Sequence, residues 1–249
     1  MAELSPRARL ALGIQLAVGR LLAPLWVPLS AALMRGAMGW RVEGVEQTRA
    51  EYRRIRDASR ESLLVCANHL TMVDSALVAW ALGSPAWYLM HPAALPWNLP
   101  DRENFASTWW ARAVVYVMKC LPIPRGGDRG EVSSVLARVG WLLRRGEAAL
   151  VFPEGGRSRS GRVEQDSRTY GVGRILGEVP GCRVLCVYLR GERQASWSRM
   201  PARGDRFRAR LALLEPKSVA SGLRRSLDLS RQVLARLAAL EEEHFRDRG

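Results

Sequence analysis

A short apolar run that turns abruptly polar occupies residues 63–74, with the sequence LLVCANHLTMVD. Its first five residues, Leu63–Ala67, are all apolar and few enough for a strand that is buried on both faces. The residues that follow, 72–82, are typical of a helix that begins directly behind such a strand. A strand that leads straight into a helix is the repeating unit of sheets whose parallel strands are covered by helices.

The same alternation continues to the end of the chain. We predict further strands at residues 86–90, 121–124, 148–152, 183–189 and 206–214. We predict helices at 108–120, 131–145 and 170–177, an irregular segment at 91–100, and a terminal amphipathic helix marked by Leu223, Leu227, Leu234 and Leu237. The predicted fold class is therefore α/β, with a largely parallel or mixed central sheet flanked by helices.

The last predicted strand, 206–214, alternates between apolar and basic residues. A strand with one buried and one wet face shows this period of two. We expect an inward-facing set of apolar residues, Phe207, Ala209, Leu211 and Leu213. We expect the basic residues Arg206, Arg208 and Arg210 to face outward.

The N-terminal residues 8–34 are mostly apolar, and Gln15 and Arg20 interrupt them. Their longest charge-free stretch is shorter than the roughly 20 residues that a helix needs to cross hydrocarbon. We interpret residues 1–40 as an apolar helical membrane-association segment, with one or two helices lying in one leaflet and arginines at headgroup level. Two alternatives stay open, a helix docked on the protein's own core and a single true span. Residues 41–249 form the second predicted unit, the α/β domain.

The chain has 38 Lys and Arg residues against 24 Asp and Glu residues, a formal net charge of +14. Only Lys119 and Lys217 are lysines, so the excess is almost entirely arginine, which suits phosphate groups but also follows from codon bias. The arginines are dispersed and no nucleic-acid recognition module is recognisable, so we predict no nucleic-acid partner. The cysteines and histidines show no ligand spacing, and we predict no metal site.

His69 and Asp74 form the first candidate pair of functional side chains. A histidine is an available base near neutral pH, and a carboxylate on one ring nitrogen fixes its tautomer and stabilises the imidazolium. Each residue also has a structural interpretation. Thr71 and Asp74 fit a capping box at the start of the next helix, and His69 fits a hydrogen-bonded core histidine.

The second candidate segment is 152–158, with the sequence FPEGGRS. Gly155 and Gly156 allow the backbone to approach a ligand closely, and Arg157 can hold a phosphate with two parallel hydrogen bonds. Glu154 can hold that guanidinium or accept hydrogen bonds from a polyol. Taken alone, the segment also fits a surface turn with a local Glu–Arg pair.

Together these motifs give the chain a resemblance to the glycerolipid acyltransferases typified by 1-acyl-sn-glycerol-3-phosphate acyltransferase. Asn68, His69 and Asp74 match the family's N-H-x4-D motif, and residues 153–158 match its P-E-G-x-R-S motif. The sequence LPIPRG at 121–126 is similar to the middle motif that contains an arginine, here Arg125. Departures are Cys186, where the family has proline in a later strand, and Gly156, where threonine is usual. The resemblance covers roughly residues 60–190, and the second departure implies an altered acceptor pocket with the chemistry retained.

The resemblance implies a membrane-associated enzyme that moves a fatty acyl group from acyl-CoA or acyl-carrier protein to a hydroxyl of a lysophospholipid such as 1-acylglycerol-3-phosphate. His69 would be the catalytic base and Asp74 its orienting partner. The implied substrate-binding residues are Asn68, Arg125, Glu154, Gly155, Gly156, Arg157 and Ser158. It implies no cofactor beyond the acyl thioester, membrane lipids as partners, and a peripheral, monotopic position on the cytoplasmic face of the inner membrane. Alternatives are an acyltransferase of a specialised lipid or metabolite pathway, a non-catalytic membrane-binding relative, and a hydrolase.

Overall fold

A six-stranded mixed sheet forms the centre of the protein. The structure, a computed structural model, describes residues 4–58, 61–124, 128–165 and 170–247. In chain order the strands are β1 Arg41–Glu43, β2 Leu63–Ala67, β3 Trp97–Asn98, β4 Ala149–Val151, β5 Arg183–Gly191 and β6 Arg206–Leu214. Across the sheet they run β1-β6-β5-β2-β4-β3. Every neighbouring pair is parallel except β5 and β6, which are antiparallel.

Helices cover both faces of this sheet. They are α1 Pro6–Ala32, α2 Val45–Asp57, α3 Asp74–Leu82, α4 Pro85–Met90, α5 Arg102–Phe105, α6 Trp109–Val117, α7 Arg129–Arg144, α8 Gly171–Glu178 and α9 Gly222–Arg246. Alternate residues of β2 enter two separate hydrophobic clusters. Leu64 and Cys66 pack in one cluster with α7, α8 and α9. Leu63 and Val65 pack in the other cluster with α2, α3 and α4. A strand covered on both faces needs apolar residues at every position, which explains the unbroken run at 63–67.

Most of the predicted elements are confirmed, and the fold class is confirmed as a mixed sheet flanked by helices. The strands at 63–67 and 206–214 have the predicted bounds, and those at 148–152 and 183–189 are shifted by one or two residues at their ends. The helix predicted at 72–82 begins at Asp74, after Val73 as N-cap. The helices expected near 108–120, 131–145 and 170–177, and the terminal helix, are α6 to α9.

Four predictions were wrong in detail. Residues 86–90 form part of α4, because the Ser84 side chain accepts the Trp87 N–H and Pro85 occupies the first helical turn. Residues 121–124 contribute only an isolated bridge at Ile123 and no strand, while a two-residue strand lies inside the segment expected to be irregular. Leu213 is 40% exposed, because β1 covers β6 only at residues 206–208 and leaves its far end as a sheet edge.

The N-terminal segment is one helix, α1, which continues as a π-helical turn, Leu33–Ala37. The polar residues that interrupt its sequence face the protein. Gln15 Nε2 donates to the carbonyl oxygens of Tyr116 at 3.1 Å and Cys120 at 2.9 Å. Arg20 Nη2 lies 2.6 Å from the buried Glu147 Oε1. The helix therefore docks on the domain through one face. One of the alternatives left open by the sequence was a helix docked on the protein's own core, and the structure shows such docking for this face.

The opposite face of α1 is apolar and exposed. Its exposed side chains are Leu10, Ile14, Leu21, Leu25, Leu29 and Leu33. The neighbouring helices α4 and α6 pack against α1 and add Leu89, Met90, Trp109, Trp110 and Val114 to the exposed apolar residues. Pro6–Ala37 has a mean hydropathy of 1.7 in its most apolar window and is long enough to cross a membrane. By itself this suggests membrane association only weakly, because core helices and signal sequences share these properties.

Candidate active site

The ends of two parallel strands bring the sequence motifs together. β2 and β4 are neighbours, with Cys66 opposite Val151, so their carboxyl ends lie at one edge of the sheet. Asn68 and His69 follow β2, and Phe152 follows β4. This edge is where open α/β sheets place ligand sites, because the loops there carry the polar side chains.

His69 and Asp74 meet directly at this edge. His69 Nδ1 lies 3.0 Å from Asp74 Oδ2, and both side chains are buried. A carboxylate can only accept a hydrogen bond, so in the neutral imidazole this contact places the proton on Nδ1 and leaves the lone pair on Nε2. The arrangement gives His69 the tautomer that a base needs, with the basic nitrogen on the side away from Asp74.

Asp74 also organises the turn that contains His69. Its Oδ2 accepts the backbone N–H groups of Leu70 at 2.5 Å and Thr71 at 2.7 Å, and its Oδ1 accepts the Thr71 hydroxyl at 2.5 Å. The bond from the Thr71 N–H is one half of the expected capping box, although the helix begins only at Asp74. One carboxylate therefore both caps the turn and orients His69, so the two interpretations of Asp74 coexist.

The loop after β4 fixes His69 from a second direction. The Phe152 ring stacks on the imidazole, with the ring centroids 4.0 Å apart and the planes 13° from parallel. Glu154 Oε1 accepts the His69 N–H at 3.1 Å, and the Ser158 N–H donates to the His69 carbonyl oxygen at 2.9 Å. The two sequence motifs, about eighty residues apart in the chain, thus form one hydrogen-bonded unit.

Burial raises the pKa of Glu154 from its ordinary value of 4.5 to about 7. The N–H groups of Glu164 and His69 stabilise the carboxylate and oppose this rise, while the carboxylates of Glu164 and Glu241 add to it. Glu154 Oε2 accepts the Glu164 N–H at 3.3 Å. Glu154 therefore joins the His69 turn to the far end of its own loop, and it does so with a carboxyl that holds a proton up to near neutral pH.

Two other residues predicted to bind substrate have hydrogen bonds within the protein. Asn68 exchanges a pair of bonds with the backbone of Leu189, at 3.0 and 2.8 Å, and so ties the end of β2 to β5. Ser158 is buried, and its Oγ donates to the Arg162 carbonyl oxygen at 2.5 Å and accepts the Arg162 N–H at 3.1 Å. These bonds hold the walls of the site, and contact of either residue with substrate stays a prediction.

The structure describes three of the four remaining residues that were predicted to bind substrate. Gly155 has a φ of 70°, which a side chain rarely tolerates, whereas a Cβ at Gly156 would meet no atom within 4 Å. Arg157 lines the same cavity as His69. Arg125 lies outside the described residues, so its predicted role stays a prediction.

A cavity of about 360 Å³ opens beside His69. Most of its wall is apolar and comes from α6 and the segment before it, including Phe105, Trp110, Val114, Val115 and Met118. Its polar side chains are His69, Ser75, Asn98, Asp101, Asn104 and Arg157. The described ranges contain no group of His, Cys, Asp and Glu residues that could hold a metal ion. The cavity is therefore lined mostly by apolar side chains, with the His69 imidazole and the Arg157 guanidinium among its polar groups.

The sequence of the chain also matches a known protein family. The family model described as Acyltransferase matches residues 40–190, which include β1 to β4, most of β5 and both motifs. The chain belongs to the acyltransferase family. This is the family of the 1-acylglycerol-3-phosphate acyltransferase-like lipid acyltransferases, as the motifs predicted. No curated protein matches the chain. The match supports acyltransferase activity, and it leaves α1, β6 and α9 outside the matched region.

Sequence reasoning assigned no role to two aromatic residues that contact the candidate site. Phe152 stacks on His69, and Trp197 lies under the Arg157 guanidinium, 5.1 Å from its central carbon to the ring centroid. For Phe152 a signal was present, because it is the residue between the end of a strand and the P-E-G motif. Trp197 lies far along the chain from both motifs and has no local signal.

Proposed function

We propose that the protein transfers a fatty acyl group from acyl-CoA or acyl-carrier protein to a hydroxyl of a lysophospholipid such as 1-acylglycerol-3-phosphate. The observation that carries this proposal is the 3.0 Å contact between His69 Nδ1 and Asp74 Oδ2 at the wall of a cavity that also contains Arg157. A base, its orienting carboxylate and an anion-binding side chain are what acylation of a phosphate-bearing alcohol requires.

In the proposed reaction His69 Nε2 takes the proton of the acceptor hydroxyl while Asp74 stabilises the imidazolium. The hydroxyl oxygen attacks the thioester carbonyl carbon and forms the new C–O bond. Collapse of the tetrahedral intermediate breaks the C–S bond, and the imidazolium returns its proton to the leaving thiolate. Because both substrates are held in one cavity, much of the acceleration comes from proximity.

The lining of the cavity supports this choice of substrates. Arg157 would receive the acceptor phosphate, because a guanidinium binds phosphate oxygens through two parallel bonds. The apolar wall formed by α6 offers the acyl chains a place out of water. Gly156 replaces the threonine usual in the family, and this loss of a hydroxyl next to Arg157 supports an acceptor headgroup that differs from the usual one.

We further propose that the enzyme sits peripherally on the cytoplasmic face of the membrane, with the exposed side of α1 in the interface. Leu21 is 78% exposed and Leu25 is 70% exposed, and water is a costly environment for such a row of leucines. Gln15 and Arg20 belong to the docked face, so a helix pulled away to span the bilayer would lose their partners. This favours a helix that lies in one leaflet.

A pair of substitutions tests the interface without disturbing the fold. Leu21→Glu with Leu25→Glu should abolish flotation with vesicles of phosphatidylglycerol and phosphatidylethanolamine, while Leu223→Glu, at a leucine 62% exposed on α9, should leave flotation intact. Deletion of residues 1–40 is a poorer test, because Leu12 and Val27 belong to the hydrophobic core. Unchanged flotation of the double variant would remove α1 as the membrane contact.

The reaction itself is tested with purified wild-type enzyme, radiolabelled acyl-CoA or acyl-carrier protein, and a panel of lysophospholipids and neutral monoacylglycerols. We expect acylated product that depends on both substrates and forms fastest with an acceptor that carries a phosphate. Release of free fatty acid at the same rate with and without acceptor would instead identify a hydrolase. Absence of turnover with every pair would favour the non-catalytic relative.

A further inference from the structure

The loop that follows β5 lies beyond the matched family region and nevertheless borders the active site. It covers residues 192–205 and connects β5 to β6. Two of its residues bond to the turn that contains His69. The Ser198 N–H donates to the Leu70 carbonyl oxygen at 3.0 Å, and the Met72 N–H donates to the Arg199 carbonyl oxygen at 3.1 Å. The position of Trp197, directly before Ser198, is thereby fixed relative to His69.

Trp197 contacts the guanidinium that lines the cavity. The central carbon of the Arg157 guanidinium lies 5.1 Å from the centroid of the Trp197 ring, within the range of a cation–π interaction. Arg157 forms part of the cavity wall, and Trp197 supports it from outside that wall. A guanidinium held by one face against an indole keeps its N–H edges free for hydrogen bonds.

A buried arginine holds the two loops together. Arg190, at the end of β5, donates from Nη1 to the Gly161 carbonyl oxygen at 2.5 Å, from Nε to that of Gln194 at 2.9 Å, and from Nη2 to that of Ala195 at 3.0 Å. Gly161 belongs to the loop that carries Arg157, and Gln194 and Ala195 belong to the loop that carries Trp197. A Cβ at Gly161 would lie only 2.4 Å from the Ala195 carbonyl oxygen, so the two backbones are in direct contact.

We propose that Trp197 is a positioning residue that selects acceptors with an anionic headgroup by holding the Arg157 guanidinium in a phosphate-binding orientation. This inference rests on the proposed function and names a specificity-determining side chain for it. A free arginine side chain loses rotamer entropy when it becomes fixed, and stacking on Trp197 removes part of that loss before substrate arrives. The benefit falls on acceptor binding and leaves proton transfer by His69 unaffected.

The prediction is a split between kinetic constants. Trp197→Ala should raise the KM for lysophosphatidate about fivefold, the equivalent of ~1 kcal/mol, with kcat and the KM for acyl-CoA unchanged. The KM for a neutral monoacylglycerol should not change, because that acceptor makes no phosphate contact. Trp197→Phe should restore most of the lost affinity, since a phenyl ring also stacks on a guanidinium. Met200→Ala, at an exposed apolar residue of the same loop, is the matched control and should behave as wild type.

An equal loss for charged and neutral acceptors, or a fall in kcat with KM unchanged, would overturn the proposal, because either result would mean that Trp197 only supports the loop. A readout without turnover separates this failure from failure of the proposed function. Inorganic phosphate should protect Arg157 of the wild type from phenylglyoxal, as measured by peptide mass, and Trp197→Ala should need about fivefold more phosphate for the same protection. Equal protection in the two proteins would refute the role of Trp197 even if no acceptor were acylated.

Discussion

Glu154 makes the stability of this protein depend on pH in a direction opposite to that of an ordinary carboxylate. It is buried beside His69, and burial raises its pKa to about 7 from 4.5. The folded protein therefore holds a proton that the unfolded chain releases between these two values. Its contribution to stability is fully present below about pH 4.5 and is lost as the pH rises through about 7.

The size of the effect follows from the two pKa values. Each pKa unit corresponds to about 1.36 kcal/mol, so the whole shift from 4.5 to about 7 is worth on the order of 3 kcal/mol. Integration of the proton binding difference between pH 5 and pH 8 gives about 2.5 kcal/mol of stability lost over that interval. Glu154→Gln cannot titrate, and this part of the pH dependence should therefore disappear.

The assay is urea unfolding followed by circular dichroism in mild detergent at pH 5, 6, 7 and 8. The free energy of unfolding of wild type minus that of Glu154→Gln should fall by about 2.5 kcal/mol from pH 5 to pH 8, whatever the offset between the two proteins. Groups that titrate in both proteins cancel in this difference. The control is Glu103→Gln, at an exposed carboxylate, whose difference from wild type should stay flat. Parallel curves for wild type and Glu154→Gln would refute a neutral, proton-holding Glu154.

Four further substitutions probe the remaining contacts. Asp74→Asn should lower acyl transfer about a thousandfold, because an amide cannot accept all the N–H groups that the carboxylate accepts; the rate is measured under saturating substrates. Gly156→Thr should leave the unfolding midpoint unchanged, since the site is open, whereas Gly155→Ala at a φ of 70° should cost about 1 kcal/mol in the same urea assay. Arg20→Gln should lower the free energy of unfolding by about 2 kcal/mol, because the buried Glu147 loses a charged partner.

The sheet was predictable because its central strands carry a strong local signal. Leu63–Ala67 and Arg183–Gly191 are buried on both faces, and that burial demands the apolar runs that sequence reasoning detects. Short elements were not predictable in the same way. The apolar run at 86–90 fits strand and helix equally, and a capping serine with a following proline decides for the helix. The pairing that leaves Leu213 exposed is a tertiary property without a local pattern.

The same distinction between local sequence signals and tertiary contacts applies to the residues of the candidate site. His69 and Asp74 are five residues apart, so a single turn brings them together and the sequence alone predicts their contact. Glu154 and Ser158 were expected to face substrate, and in the structure their bonds go to the backbone of His69 and to their own loop. Trp197 reaches Arg157 because its loop bonds to residues 70–72 and because Arg190 bonds to both loops. No spacing in the sequence reveals either connection.

The most direct test of the account is the rate of acyl transfer by His69→Ala beside wild type, with acyl-CoA and lysophosphatidate as substrates and the unfolding midpoint as a check on folding. If His69 is the base, the variant should fold and lose about a thousandfold or more in kcat. A folded His69→Ala enzyme that forms acylated product as fast as wild type would contradict the mechanism.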